Sequence, residues 1–208
     1  MNNEPLNVLK GRNDLVVIAD NVTPNSRVLD LGCGGGELLR YLHDTKGVRG
    51  SGIELSQEKI LKCVKIGVSV VHGNLNDGLG EFSDKSFDFV ILSQTLQAVD
   101  RPDRLLLDMA RVGRKVIVSF INIGHFTCRA QLLFLGRMPV TCTLPDPWYD
   151  TSNIHLGTLR DFRSLCRVVG IRIFKEVPLN TRSRLLGAIW PNLFAQTCVF
   201  IIGEKKNT

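Results

Sequence analysis

The chain has no run of 18 apolar residues, no C-x-x-C pair, no internal repeat and no low-complexity tract. The first absence excludes a membrane-spanning helix. Met1–Pro5 also lacks the charged-then-apolar profile of a signal peptide, so a cytoplasmic location is expected. The six cysteines, at 33, 63, 128, 142, 166 and 198, are too widely spaced for a zinc site or a disulfide framework. Reduced, mostly buried thiols and no metal are the expectation. The net charge of +6 comes from 26 basic residues dispersed among 20 acids. No basic stripe interleaved with aromatics is present, and the densest cluster outside the helices is Glu204-Lys205-Lys206, so nucleic acid is not an expected partner. No nucleophile elbow or Ser-His-Asp order occurs, which argues against acyl transfer by this chain alone.

What is there is a core of one size. A chain of 208 residues at 44% apolar content suits a single α/β domain and is short for two. Val28-Leu29-Asp30-Leu31 is a short apolar strand interrupted by one aspartate, and Gly32, Gly34 and Gly36 follow at alternate positions. Leu38, Leu39 and Leu42 then begin a helical stripe. Glycines are needed where φ is positive or the backbone must approach a ligand. A helix starting there adds unpaired N–H groups and a positive dipole end. The dinucleotide fingerprint G-x-G-x-x-G would need a third glycine where Glu37 stands. The pattern G-x-G-x-G with Asp30 upstream resembles motif I of Rossmann-like S-adenosylmethionine-dependent methyltransferases. A tight strand–helix connection without a ligand is the structural alternative.

A second strand ends at Glu54, twenty residues after Gly34, where a carboxylate can accept hydrogen bonds from both ribose hydroxyls. After a third apolar run, Val68–Val71, comes Asn74-Leu75-Asn76-Asp77. In the methyltransferase pattern a polar residue here faces the adenine edge; Asp77 fits that role with Asn76 beside it, although Asn-Asp-Gly also spells an ordinary turn. Phe87–Leu92 followed by Ser93-Gln94-Thr95-Leu96-Gln97 resembles motif IV, which borders the methyl-transfer site.

The remaining pattern alternates strands and helices. Helices are predicted over Asp14–Val22, Glu37–Asp44, from the Ser56 cap to Ile66, from Pro102 to Arg111, and from the Thr158-x-x-Asp161 cap to Gly170. Strands are predicted over Arg27–Leu31, Val48–Ile53, Lys115–Phe120, Ile171–Val177 and Thr197–Ile202. Such alternation implies a mainly parallel sheet with helices on both faces. The fold class is therefore a Rossmann-like α/β domain covering 1–208. Residues 121–157 form an insertion too long for a simple connection. It can roof the crevice at the strand ends, which makes Trp148, Tyr149 and His155 candidates for a second-substrate or partner surface. The alternative is a packed loop whose aromatics fill a small satellite core. Among the histidines, His125 and His155 lie beyond strand five and could act as base or orient a substrate. Tyr149 is the third catalytic candidate. His43 and His72 read as surface or packing residues.

Several longer stretches narrow the resemblance. Ile91–Val99 with Arg101-Pro102-Asp103, Arg111–Arg114, Gly136–Val140, Trp148–Thr151 and Asn153–Leu156 are similar, in order and over nearly the whole chain, to the methionine-biosynthesis MetW family. Two departures stand out. Gly35 takes the place of a common aspartate, which loosens the loop and could weaken cofactor binding, and Ile121–Phe126 differs at both ends. The resemblance implies a seven-stranded class I methyltransferase fold whose last strand is antiparallel. It further implies S-adenosylmethionine as cofactor, with Asp30, Gly32, Gly34, Gly36, Glu54, Asn76, Asp77 and Ser93 around it. It also implies association with a homoserine O-acyltransferase, which the chain would bind and activate. The second hypothesis is an active methyltransferase on an unidentified acceptor, releasing S-adenosylhomocysteine.

Overall fold

The computed structural model describes residues 9, 11–179, 187 and 189–204. Met1–Pro5, Lys205-Lys206 and, in the segment between the last two predicted strands, residues 180–186 and 188 lie outside the described residues.

A seven-stranded sheet has the order β3-β2-β1-β4-β5-β7-β6. Its strands are β1 Arg27–Leu31, β2 Arg49–Glu54, β3 Ser69–His72, β4 Phe87–Ser93, β5 Gly113–Ile121, β6 Ile171–Leu179 and β7 Thr197–Glu204. The first five run parallel, and β7 enters antiparallel between β5 and β6. The helices are α1 Asn13–Asn21, α2 Glu37–Lys46, α3 Gln57–Lys65, α4 Pro102–Val112, α5 Phe126–Leu135, α6 Leu159–Val168 and the single turn α7 Pro191–Phe194.

Strand side chains alternate between faces, and both faces are apolar. Leu29, Leu31, Val90, Leu92, Val116, Val118, Phe120, Cys198 and Phe200 join α4 and α6 in one core. Their neighbours Val28, Phe89, Ile91, Ile117, Val199 and Ile201 join α1 and α2 in the other. This is why the strands read as continuous apolar runs. Phe120, Phe162 and Phe200 form an aromatic centre, with ring centroids 4.5–5.7 Å apart.

The predicted elements appear within a residue or two of their expected ends. Gly47 caps α2 in the left-handed region, and Thr158 and Asp161 make the reciprocal capping box that starts α6. The helix α5 is an addition within 121–157. Among the described residues no helix is long and apolar enough to cross a membrane. Five cysteines are buried and Cys142 is exposed.

Candidate functional site

The strand order reverses between β1 and β4, the switch point where open α/β sheets leave a crevice beyond their carboxyl ends. Gly32 follows β1 and Gln94-Thr95 follow β4, so both loops open into that gap. The resulting cavity, of 330 Å³, is lined among others by Gly32, Glu54, Leu75, Asn76, Val99 and Ser152. Ser152 belongs to the 121–157 insertion, which therefore reaches the crevice.

The glycine loop has the geometry its spacing implies. Gly32, Gly34 and Gly36 have φ of 68, 60 and 84°, the left-handed region that other residues enter at a cost. A Cβ on Gly34 would meet nothing within 4 Å, whereas one on Gly32 would meet Thr95 Oγ1 at 2.7 Å. The loop is thus braced on one side and open as a cradle on the other. Gly35 permits a further contact, because a Cβ there would strike the carboxylate of Glu37.

Glu54 is buried at the end of β2 and holds the loop from behind. One oxygen accepts the Gly34 N–H at 2.9 Å; the other accepts the N–H groups of Leu55 at 3.0 Å and Ser56 at 2.9 Å. Two carboxylate oxygens offer about four acceptor positions, so one remains for a ligand hydroxyl. Asp30 is buried in β1 with one carboxylate oxygen lacking any partner among the described residues. Burial pushes its pKa up to about 7, opposed by Arg12 and reinforced by Glu54 and Glu37.

The other expected residues divide. Asn76 lines the crevice, its side chain paired with Asp100 through Asn76 Nδ2 at 2.8 Å and the Asp100 N–H at 3.0 Å. Asp77 is exposed and is not a lining residue. Ser93 spends its hydroxyl on a network that the sequence reading missed. It donates to Asp14 at 3.0 Å and accepts from Arg12 at 2.8 Å. His125 is buried as the N-cap of α5, accepting the Thr127 N–H at 3.3 Å, and burial lowers its pKa. It lines none of the cavities described here. His155 is exposed beside a separate apolar cavity of 180 Å³, with Nε2 3.2 Å from the Asp100 carbonyl. Trp148 and Tyr149 are 72% and 75% exposed and meet edge to face. Trp148 also borders a 370 Å³ cavity with Met138, Ile154 and Leu156. The structure therefore gathers Gly32 of the glycine loop, Glu54 and Asn76 around one crevice and leaves all three catalytic candidates outside it.

Two further residues of the motif IV segment organise the site in roles that the resemblance did not assign. Gln94, at φ 52°, holds a left-handed conformation that is uncommon outside glycine. Its N–H donates to the Ser119 carbonyl at 2.8 Å, fixing the turn after β4. Gln97 is buried and pins the insertion. Its carbonyl accepts the N–H groups of Ile154 and His155, and its side chain bonds the Ile121 N–H and the His155 carbonyl.

The strand order, the antiparallel β7 and the glycine cradle define a Rossmann-like fold of the S-adenosylmethionine-dependent methyltransferase class. A methyltransferase of Mesorhizobium loti has the same fold at TM-score 0.69 and 16% identity, covering 93% of this chain and 99% of that one. A methyltransferase of Thermotoga maritima does so at TM-score 0.65 and 20% identity, covering 92% and 87%. Within that class, the model of the family "Methionine biosynthesis protein MetW" matches residues 12–202, and the chain belongs to this family. A relative from Rhodopirellula baltica, the bifunctional methionine biosynthesis protein MetXA/MetW, is 36% identical over 200 residues. The match takes in 91% of this chain and 32% of that protein, so the chain spans about a third of its relative's length.

Proposed function

We propose that this chain binds S-adenosylmethionine in the switch-point crevice and acts in methionine biosynthesis as the activating partner of a homoserine O-acyltransferase. The observation that carries the partner half is the Rhodopirellula protein, in which a MetW unit and a MetXA unit share one chain. We read MetXA as the acyltransferase. Covalent fusion keeps two units at high effective concentration, which benefits units that work together. The insertion supplies a suitable surface. Leu133, Phe134, Trp148 and Tyr149 are each more than 70% exposed, and exposed large apolar groups on this scale mark interaction sites in soluble proteins.

The cofactor half rests on fit. Gly34 offers backbone with open space before it, Asp30 carries an unpartnered buried oxygen, and Glu54 retains an acceptor position. When bound, the cofactor would supply a sulfonium methyl group. The chain's own residues would hold the ribose (Glu54), border the adenine (Leu75, Asn76, Val99) and cradle the amino-acid part (Gly32 to Gly36). Bound in this way, the cofactor would report the level of the pathway's downstream product.

The test is the acyl-transfer rate of the cognate acyltransferase with and without an equal concentration of this chain. A large increase, lost on combining Trp148→Ala with Tyr149→Ala, is expected. No increase, together with no co-migration on a sizing column, would sink the partner reading. S-adenosylhomocysteine accumulating in a cell extract supplied with S-adenosylmethionine would favour an active methyltransferase instead.

A further inference from the structure

Beside the crevice lies a second, polar cavity of 190 Å³ lined by Arg12, Asn13, Asp14, Cys142, Thr143 and Gln94, among others. Gln94 also lines the crevice, so the two spaces meet at that residue. Arg12 is the cation of this second cavity, and Asp30 and Glu37 at the glycine loop act on it electrostatically. Its Nε donates to Asp14 Oδ1 at 2.9 Å, and its Nη2 to Asp14 Oδ2 at 2.9 Å and Ser93 Oγ at 2.8 Å. Asp14 is itself only 2% exposed and also takes the hydroxyls of Ser93 and Ser119. The guanidinium plane is thus fixed along two edges. Its third group, Nη1, makes no hydrogen bond among the described residues, and the side chain as a whole is 41% exposed.

That arrangement is more than a surface ion pair needs. A buried acid and Ser93 hold one arginine, Ser119 braces both of them, and two N–H donors are left over among the described residues. The free Nη1 group can donate a charge-assisted hydrogen bond to a carboxylate oxygen. The surroundings favour a carboxylate there over the acid-lined glycine loop. Asp30, Glu37 and Glu54 all border the glycine loop, and the first two act electrostatically on Arg12. An anionic group entering the loop would be repelled by Glu37 and Glu54 unless a cation received it. Lys59 lines the crevice itself, but it stands on α3 just after Glu54, on the ribose side.

We propose that the Nη1 group of Arg12 donates to the carboxylate of the amino-acid part of S-adenosylmethionine, with Asp14 and Ser93 as positioning residues. The proposal rests on the cofactor reading above and adds to it the group that distinguishes the whole cofactor from its adenosine portion. Loss of a charge-assisted pair of this kind corresponds to roughly 10- to 100-fold in affinity.

The experiment is calorimetric titration of the whole chain with S-adenosylmethionine and with decarboxylated S-adenosylmethionine, which keeps the sulfonium and the amine. The wild type is expected to prefer the carboxylated ligand by about 10- to 100-fold. Arg12→Met should erase that preference by weakening the carboxylated ligand alone. Arg12→Lys should keep part of it. Glu54→Gln should weaken both ligands alike. Because Arg12→Met strands the Asp14 charge, the double variant Arg12→Met with Asp14→Asn decides the matter if the single variant loses both ligands. An unchanged preference in a variant that still binds the decarboxylated ligand overturns the proposal. Failure of the wild type to bind either ligand overturns the cofactor reading itself, and the carboxylate assignment with it.

Discussion

Glu54 does two jobs with one carboxylate. It ties the Gly34, Leu55 and Ser56 amides together, and it faces the crevice. Glu54→Ala should therefore lower stability by roughly 2–4 kcal/mol, since hydrogen bonds to a charged group contribute about 1.5–3 kcal/mol each and orphaned donors add a penalty. The same variant should weaken S-adenosylmethionine more than tenfold; chemical denaturation and calorimetry read the two effects separately. Asp30 behaves oppositely. Burial raises its carboxyl to about 7, above the ordinary carboxylate value near 4, so folding favours the protonated form. Its contribution is fully present below about pH 4 and is lost as pH rises through 7. Asp30→Asn should match the wild type near pH 4 in thermal unfolding and exceed it near pH 8. Equal loss at both pH values would show an ionised, paired Asp30 instead. Both residues were legible in the sequence because they lie at strand ends at fixed distances from the glycines. Arg12 and Asp14 were not. Their partner Ser93 is 81 and 79 residues away and Ser119 lies 105 from Asp14, and no periodicity reports such a meeting.

The elements differ in how openly the sequence states them. α6 was readable from its cap and from Leu159, Phe162 and Cys166, which return to one buried face at helical spacing. Thr158→Ala should remove one half of the capping box and cost about 1 kcal/mol, measurable as a shift in the urea midpoint without a change in slope. α5 was not readable. Its apolar residues are not segregated; Cys128 is buried while Leu132, Leu133, Phe134 and Leu135 face outward, so no stripe marks it as a helix. Its ends are nonetheless conventional, with His125 as N-cap and Gly136 at φ 60°. A side chain that looked like a base in the sequence thus serves here as a cap. Replacing Leu133 and Phe134 by Gln should leave thermal stability within about 0.5 kcal/mol, as for other exposed sites, while reducing co-migration with the proposed acyltransferase partner.

At the scale of the whole molecule, two cores share one sheet, and their unity depends on β7. The strand pairs with β5 along Val116–Ile121 and with β6 on its other side, and Phe200 joins the aromatic centre with Phe120 and Phe162. Phe200→Ala should cost about 3–5 kcal/mol and lower the transition of both halves together, a single calorimetric peak being the check. The parallel half of the sheet followed from strand–helix alternation, whereas the antiparallel β7 came only with the family resemblance, because period-two alternation carries no direction. The placement of β7 also sets an order of events during synthesis. β5 leaves the ribosome well before β7, and until then Val116-Ile117-Val118-Ser119-Phe120-Ile121 presents a bare, uncharged, β-branched edge. A nascent chain in that condition is an invitation to mispairing with its neighbours on the same message. Yield in the cell should then be governed by how quickly translation delivers β7 and by chaperones that shield β5 in the interval, more than by the stability of the finished sheet.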